Sequence, residues 1–129
     1  LAETGAKLAI SPHCNPALIQ QAIALKLKPM PGVMTPSEAF AAIGAGATDL
    51  KLFPASLITT AGFKAFKAVL PPEIGCWAVG GINSSAFKEW MDIGIDGFGI
   101  GSALYKPGWS PAEVERSAKA LVEQLGELS

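Results

Sequence analysis

One lysine stands in the middle of an apolar run, Asp49-Leu50-Lys51-Leu52-Phe53-Pro54. A buried, unpaired ammonium is costly, so a dry setting drives lysine towards its neutral amine. A neutral amine can attack a ketone and form a Schiff base. If the run is a strand, Asp49, Lys51 and Phe53 share one face and Leu50 and Leu52 the other. Two readings of Lys51 then fit: it points inward as a nucleophile, or it snorkels from a strand end to water. Asp49 would sit deeper on the same face, where its charge would raise the lysine pKa. It is therefore read as structural unless it is shielded.

Two glycine-rich segments could hold an anion. Val79-Gly80-Gly81-Ile82-Asn83-Ser84 follows an apolar run and precedes a helical one, so backbone N–H groups and a helix N-terminus could meet a phosphate there. A tight turn would need the same glycines. A matching feature, Gly99-Ile100-Gly101-Ser102, ends the next apolar run, and the pair together points to phosphate. His13-Cys14 also follows an apolar run. Neighbouring residues in a loop rarely aim at one atom and there is no second histidine, so neither a catalytic pair nor a metal site is expected. Trp77, Trp90 and Trp109 are read as packing residues.

The elements that would position these groups alternate. Lys7–Ser11, Lys28–Val33, Asp49–Phe53, Gly75–Val79 and Gly97–Gly101 read as strands buried on both faces. Asn15–Leu27, Pro36–Ile43, Gly62–Leu70, Ser84–Ile93 and Pro111–Leu125 read as helices. Alternation of this kind predicts βαβ units and a parallel sheet. Thr35-Pro36-Ser37-Glu38 and Ser110-Pro111-Ala112-Glu113 are capping boxes with proline at the first helical position. Val114, Ala118, Leu121 and Leu125 are spaced as one apolar stripe. Gly44 and Gly46, and later Gly94, suit left-handed helix stops. Leu1-Ala2-Glu3-Thr4-Gly5 looks like the same device, so residue 1 is expected to be the tail of a helix. The strand starts lie about 20 to 27 residues apart, the repeat of a β/α barrel. Closed barrels take roughly 200 residues or more, so 129 residues read as about the last five units of one, residues 1–129 forming the C-terminal portion of a single domain.

Half of the residues are hydrophobic, 16% are charged and the formal net charge is −1. There is no basic patch for nucleic acid or anionic membrane. No apolar run is long enough to span a bilayer. Cys14 and Cys76 lack a metal-type spacing and read as free thiols in a reducing cytoplasm.

Leu50-Lys51-Leu52-Phe53-Pro54-Ala55-Ser56 resembles the lysine strand of the 2-keto-3-deoxy-6-phosphogluconate and 2-keto-3-deoxy-6-phosphogalactonate aldolases. Pro31-Gly32-Val33-Met34-Thr35-Pro36-Ser37-Glu38-Ala39, Ala78-Val79-Gly80-Gly81 and Gly101-Ser102-Ala103-Leu104-Tyr105 resemble that family too, in order and over nearly the whole chain. The resemblance implies a class I aldolase on a (β/α)8 TIM barrel, a homotrimer when complete, needing no metal or organic cofactor. Lys51 matches the Schiff-base lysine, Phe53 and Pro54 the segment beside the substrate, and Gly80, Gly81, Gly101 and Ser102 the phosphate cradle. The gluconate branch carries Pro-Thr before Gly-Gly and the galactonate branch Ala-Val. Ala78-Val79 therefore implies the galactonate branch, in which valine cannot hydrogen-bond a substrate hydroxyl as threonine would.

The implied reaction cleaves 2-dehydro-3-deoxy-6-phosphogalactonate to pyruvate and glyceraldehyde 3-phosphate. The gluconate substrate, and a phosphate-binding half-barrel without activity, are the alternatives. The family's carboxylate acid/base, its carboxylate-binding arginine and a Gly-Ala-Gly-Thr segment come from its first three strands and have no counterpart here. Glu3, Glu38 and Glu73, in helical or loop segments, are not assigned those roles.

Overall fold

The computed structural model describes residues 2–128. Its elements alternate apart from the consecutive strands β2 and β3: β1 (Leu8–Ile10), α1 (Pro16–Ala24), β2 (Lys28–Met30), β3 (Gly32–Val33), α2 (Pro36–Gly44), β4 (Asp49–Leu52), α3 (Ala55–Lys67), β5 (Gly75–Val79), α4 (Phe87–Asp92), β6 (Gly97–Gly99) and α5 (Pro111–Gly126). Every pairing is parallel. β1 pairs with β2, and β3-β4-β5-β6 form a second sheet in chain order. This is an α/β fold with parallel sheets.

The expected strand Lys28–Val33 is split at Pro31. Proline has no N–H to give, yet its carbonyl accepts from Lys51 N at 2.9 Å. Residues 28–30 thus serve β1 while residues 32–33 serve β4, and one strand position links both sheets. Gly32 permits the turn-over: a Cβ there would lie 2.4 Å from the Pro12 carbonyl carbon, so β1's end and β3 approach backbone to backbone.

Both capping boxes form. Thr35 and Ser110 accept from Glu38 N and Glu113 N, and each glutamate returns a bond to the cap residue's N–H. Asn15 caps α1, accepting from Ala17 N at 3.0 Å. That helix ends at Ala24, short of the expected Leu27, because Lys26 turns left-handed at φ 59°. Gly46 (φ 100°) and Gly94 (φ 80°) supply the other left-handed stops. At the start, the expected helix tail is a single 3-10 turn, Ala2–Thr4, closed by Gly5 at φ 76°; Leu1 lies outside the described residues.

The expected helix from Gly62 begins seven residues earlier, at Ala55. Sequence periodicity missed its first turn because Thr59 breaks the helix at φ 62°, ψ 168°, a region costly for a β-branched residue. Tertiary contacts hold that turn: Ala55 and Ile58 are buried, and Ser56 N donates to Gly80 O at 3.1 Å. The helix expected over Ser84–Ile93 starts as a 3-10 turn, Ser84–Ala86, capped by Asn83. β6 stops at Gly99 rather than Gly101. The α5 stripe is only half covered: Val114, Ala118 and Leu121 are half-buried and Leu125 is exposed.

The core lies between the four-stranded sheet and its helices. Leu50, Leu52, Ala78, Ala39, Ala42 and Phe63 are wholly buried there, each large side chain contributing about 1.5–3 kcal/mol. Phe63 packs on Trp90 and Phe87 stacks on Phe98. Burial on both faces, expected for every strand, holds only in part: in β5 Cys76 and Ala78 are buried while Gly75, Trp77 and Val79 are half-covered on the concave face.

Candidate active site

The concave face carries the odd-numbered residues of β4 and β5. Strand alternation sends Leu50 and Leu52 to the helices, and so turns Lys51 inward. Lys51 therefore shares the face of Asp49, opposite the buried leucines. It is half-buried, and its Nζ lies 4.2 Å from the centroid of the Phe53 ring, towards the C-terminal ends of the strands. Burial pushes its pKa down. The ring acts the other way, favouring the charged form. Its register partner across the sheet is Trp77. An open hollow of about 380 Å³ is lined by that tryptophan together with Leu8, Ile10, Lys28, Met30 and Val79 among others; Lys51 is not part of its wall.

The expected site residues gather at the strand ends. Phe53 and Pro54, joined by a cis peptide, follow β4. Gly80 (φ 92°) and Gly81 (φ 75°) are both left-handed, a backbone that other residues rarely adopt. A Cβ on Gly80 would lie 3.0 Å from the Phe53 ring, and one on Gly81 2.7 Å from Ser56 Cβ. The glycine loop thus rests on Phe53, Pro54 and the first turn of α3. Val79 lies against Gly99, where a Cβ would be 2.6 Å from its Cγ2. Gly101 and Ser102 are both exposed, and nothing lies within 4 Å of a Cβ built on Gly101. The Gly101 carbonyl accepts from Leu104 N and Tyr105 N, leaving a turn just beyond β6.

The lower layer was not legible from motifs. Asp49 is buried and saturated: Lys28 Nζ lies 2.8 Å from Oδ2, Thr48 Oγ1 donates to Oδ2 at 2.9 Å, and Trp77 Nε1 donates to Oδ1 at 2.9 Å. Burial raises its pKa, but these bonds outweigh burial and hold it below the ordinary 3.8. The condition set for Asp49, that it be shielded, is met. Trp77, expected only to pack, also donates a hydrogen bond. Its ring occupies the space beside Gly97, where a Cβ would be 2.4 Å away, and Gly75 leaves room for Asp49 Oδ1 at 2.7 Å. Glycine on both flanks of a tryptophan was the available signal.

The other candidates are occupied locally. Glu38 Oε2 accepts from Met34 N, Thr35 N and Thr35 Oγ1, each at 2.9 Å, which lowers its pKa. The Cys14 thiol donates to Glu38 O and its pKa is raised, by burial first and by the Glu38 charge second. That is the reverse of an activated thiolate. Burial and Asp96 push Cys76 up to about 11. Among the described residues, no group of three His, Cys, Asp or Glu is placed to hold a metal ion, and no helix is long and apolar enough to cross a membrane.

Parallel strands with a lysine inside and glycine loops at their C-terminal ends define a β/α-barrel type of site. The sequence matches the KDPG and KHG aldolase family over residues 1–118, so the chain belongs to that family. It is 47% identical over 120 residues to the probable 2-dehydro-3-deoxy-6-phosphogalactonate aldolase of Rhizobium meliloti, covering 93% of this chain and 57% of that protein. A native KDPGal structure superposes with a TM-score of 0.95 at 38% identity, covering 99% of this chain and 62% of that one. The KDPG aldolase of Legionella pneumophila, with pyruvate captured as a covalent carbinolamine, superposes with a TM-score of 0.76 at 27% identity, over 98% of this chain and 60% of that one. The chain spans about six tenths of the length of the relatives it matches.

Proposed function

We propose that this chain supplies five β/α units, with the nucleophile, to a (β/α)8 class I aldolase that cleaves 2-dehydro-3-deoxy-6-phosphogalactonate to pyruvate and glyceraldehyde 3-phosphate. The observation that carries the reading is Lys51: half-buried on the concave face, its amine beneath Phe53 and its pKa lowered by desolvation. The Legionella relative holds pyruvate covalently, and the R. meliloti relative is named for the galactonate substrate.

In this mechanism neutral Lys51 attacks the C2 ketone, and loss of water gives the protonated imine. The imine draws in the electrons of the C3–C4 bond, releasing glyceraldehyde 3-phosphate and leaving an enamine. Protonation at C3 and hydrolysis release pyruvate and free Lys51. Gly80 and Gly81 amides, with Gly101 and Ser102 from the neighbouring unit, hold the phosphate and so place the carbonyl at the amine. Val79 presents a methyl surface where a hydroxyl would select the other sugar configuration. Proton transfer needs a carboxylate near the substrate. Asp49 and Glu38 are engaged elsewhere, and the family resemblance implies that this carboxylate comes from the family's second strand.

The complete protein is proposed to be a cytoplasmic homotrimer. The family resemblance supports the assembly, and the free cysteines Cys14 and Cys76 support the compartment; size measurement checks the former. For the chemistry, full-length protein is incubated with pyruvate and borohydride and digested. The expected result is a reduced pyruvate adduct on Lys51 and none in Lys51→Ala. An adduct that survives the substitution overturns the assignment.

A further inference from the structure

The ionisable groups arranged around Lys51 are few. β4 contributes Asp49 and β2 contributes Lys28, paired at 2.8 Å. β3 offers Gly32 and Val33, and β5 turns Gly75, Trp77 and Val79 to the concave face. None of these titrates. Cys76 faces the helices, and Asp96, before β6, accepts from Cys76 N at 2.8 Å. Lys7, before β1, is exposed. Asp49 is thus the carboxylate on the nucleophile's own strand face, two residues beneath it, or about 7 Å along the strand. An uncompensated charge there would favour the ammonium form of Lys51 and silence it. Trp77 and Thr48 donate to the carboxylate without cancelling its charge; Lys28 cancels it.

We propose that Lys28 is a positioning residue that sets the protonation of Lys51 by neutralising Asp49 in the layer below. The geometry gives the device its shape. Trp77, laid beside Gly97 and Gly75, fixes one carboxylate oxygen and leaves the other to Lys28. Lys28 keeps half of its side chain exposed, whereas the Asp49 side chain is almost wholly enclosed. The countercharge therefore comes from a flexible, solvated arm, and the carboxylate is the rigid partner. The proposal rests on Lys51 being the aldolase nucleophile, but it concerns the charge state of Lys51 and is measured without substrate.

The test is competitive acetylation of Lys51 Nζ against pH, followed by peptide mass spectrometry on the full-length protein. Lys28→Met is expected to raise the labelling midpoint by roughly 1.5 to 2 pH units, from two charges about 7 Å apart at an effective dielectric near 20. Asp49→Asn removes the carboxylate and leaves Lys28 uncompensated, so its midpoint is expected to fall. Lys28→Arg and the double variant Lys28→Met/Asp49→Asn are expected near wild type. Opposite shifts in the two single variants support the proposal, because loss of mere packing moves neither midpoint in a charge-dependent direction. If Lys28→Met does not fold, the near-isosteric Asp49→Asn decides alone. Midpoints that stay within about 0.2 units of wild type, or that move the same way in both, overturn it. Borohydride trapping with pyruvate is run in parallel. Trapping with unmoved midpoints overturns this inference and leaves the aldolase reading intact, whereas shifted midpoints without trapping do the reverse.

Discussion

The two faces of the central sheet are built to opposite standards. Towards the helices, Leu50, Leu52 and Ala78 are wholly buried, with no polar atom to satisfy. One residue along, on the concave side, Asp49, Lys51 and Trp77 carry charge or hydrogen-bonding groups, and Trp77 lines an open hollow. The same backbone bonds serve both. The difference teaches that the helix side carries the stability and the concave side can afford a depressed lysine. Desolvating an amine costs stability at neutral pH, because the unfolded chain takes up the proton more readily. That cost fades as pH rises towards the ordinary lysine value.

The sharpest break in this comparison is Lys51→Ala. It is expected to remove at least about a thousandfold of aldol cleavage in the full-length protein, with no loss of stability; urea unfolding beside the activity assay checks both. Leu52→Ala, its neighbour on the other face, should do the opposite. It empties a fully buried site and is expected to lower stability by about 2–5 kcal/mol, while Lys51 remains trappable by pyruvate in the folded fraction. Gly81→Ala tests the strand ends. Its left-handed φ and the contact with Ser56 predict strain of about 1–3 kcal/mol, read as a rise in KM for the phosphorylated substrate larger than any fall in kcat.

A smaller effect separates the layers of the concave face. The folded-state pKa of Asp49 is depressed, so its stabilising share is complete above the ordinary carboxylate value and is lost as pH falls through the lower folded value. Asp49→Asn should therefore flatten the acid limb of urea midpoint against pH and leave the limb above pH 5, roughly, unchanged in slope. The smallest change belongs to the outer surface. Lys88→Ala breaks an exposed pair with Asp92 at 2.9 Å and is expected to cost under about 0.5 kcal/mol, within error of wild type by thermal denaturation.

Much of the site was readable because it depends on local chemistry. Alternation along Asp49–Leu52 placed Lys51, and paired glycines after a strand marked Gly80 and Gly81. The capping boxes at Thr35 and Ser110 are closed within four residues, and both formed. What escaped was carried by contacts between distant segments. The first turn of α3 is held by Gly80, and Thr59 interrupts the periodicity that would have announced it. The split at Pro31 arises because two different strands compete for one segment's carbonyls.

Composition and spacing alone determined that strands and helices alternate, that Lys51 would share a face with Asp49, and that glycines would sit at the strand ends. These follow from side-chain period and backbone freedom, which any short stretch of chain already contains. Only the folded arrangement decided that Asp49 meets Lys28 and Trp77, and that Gly81 rests on Ser56. The partners in each case lie more than 20 residues apart, and which distant charges and rings meet is set by sheet register and packing, which no local pattern encodes.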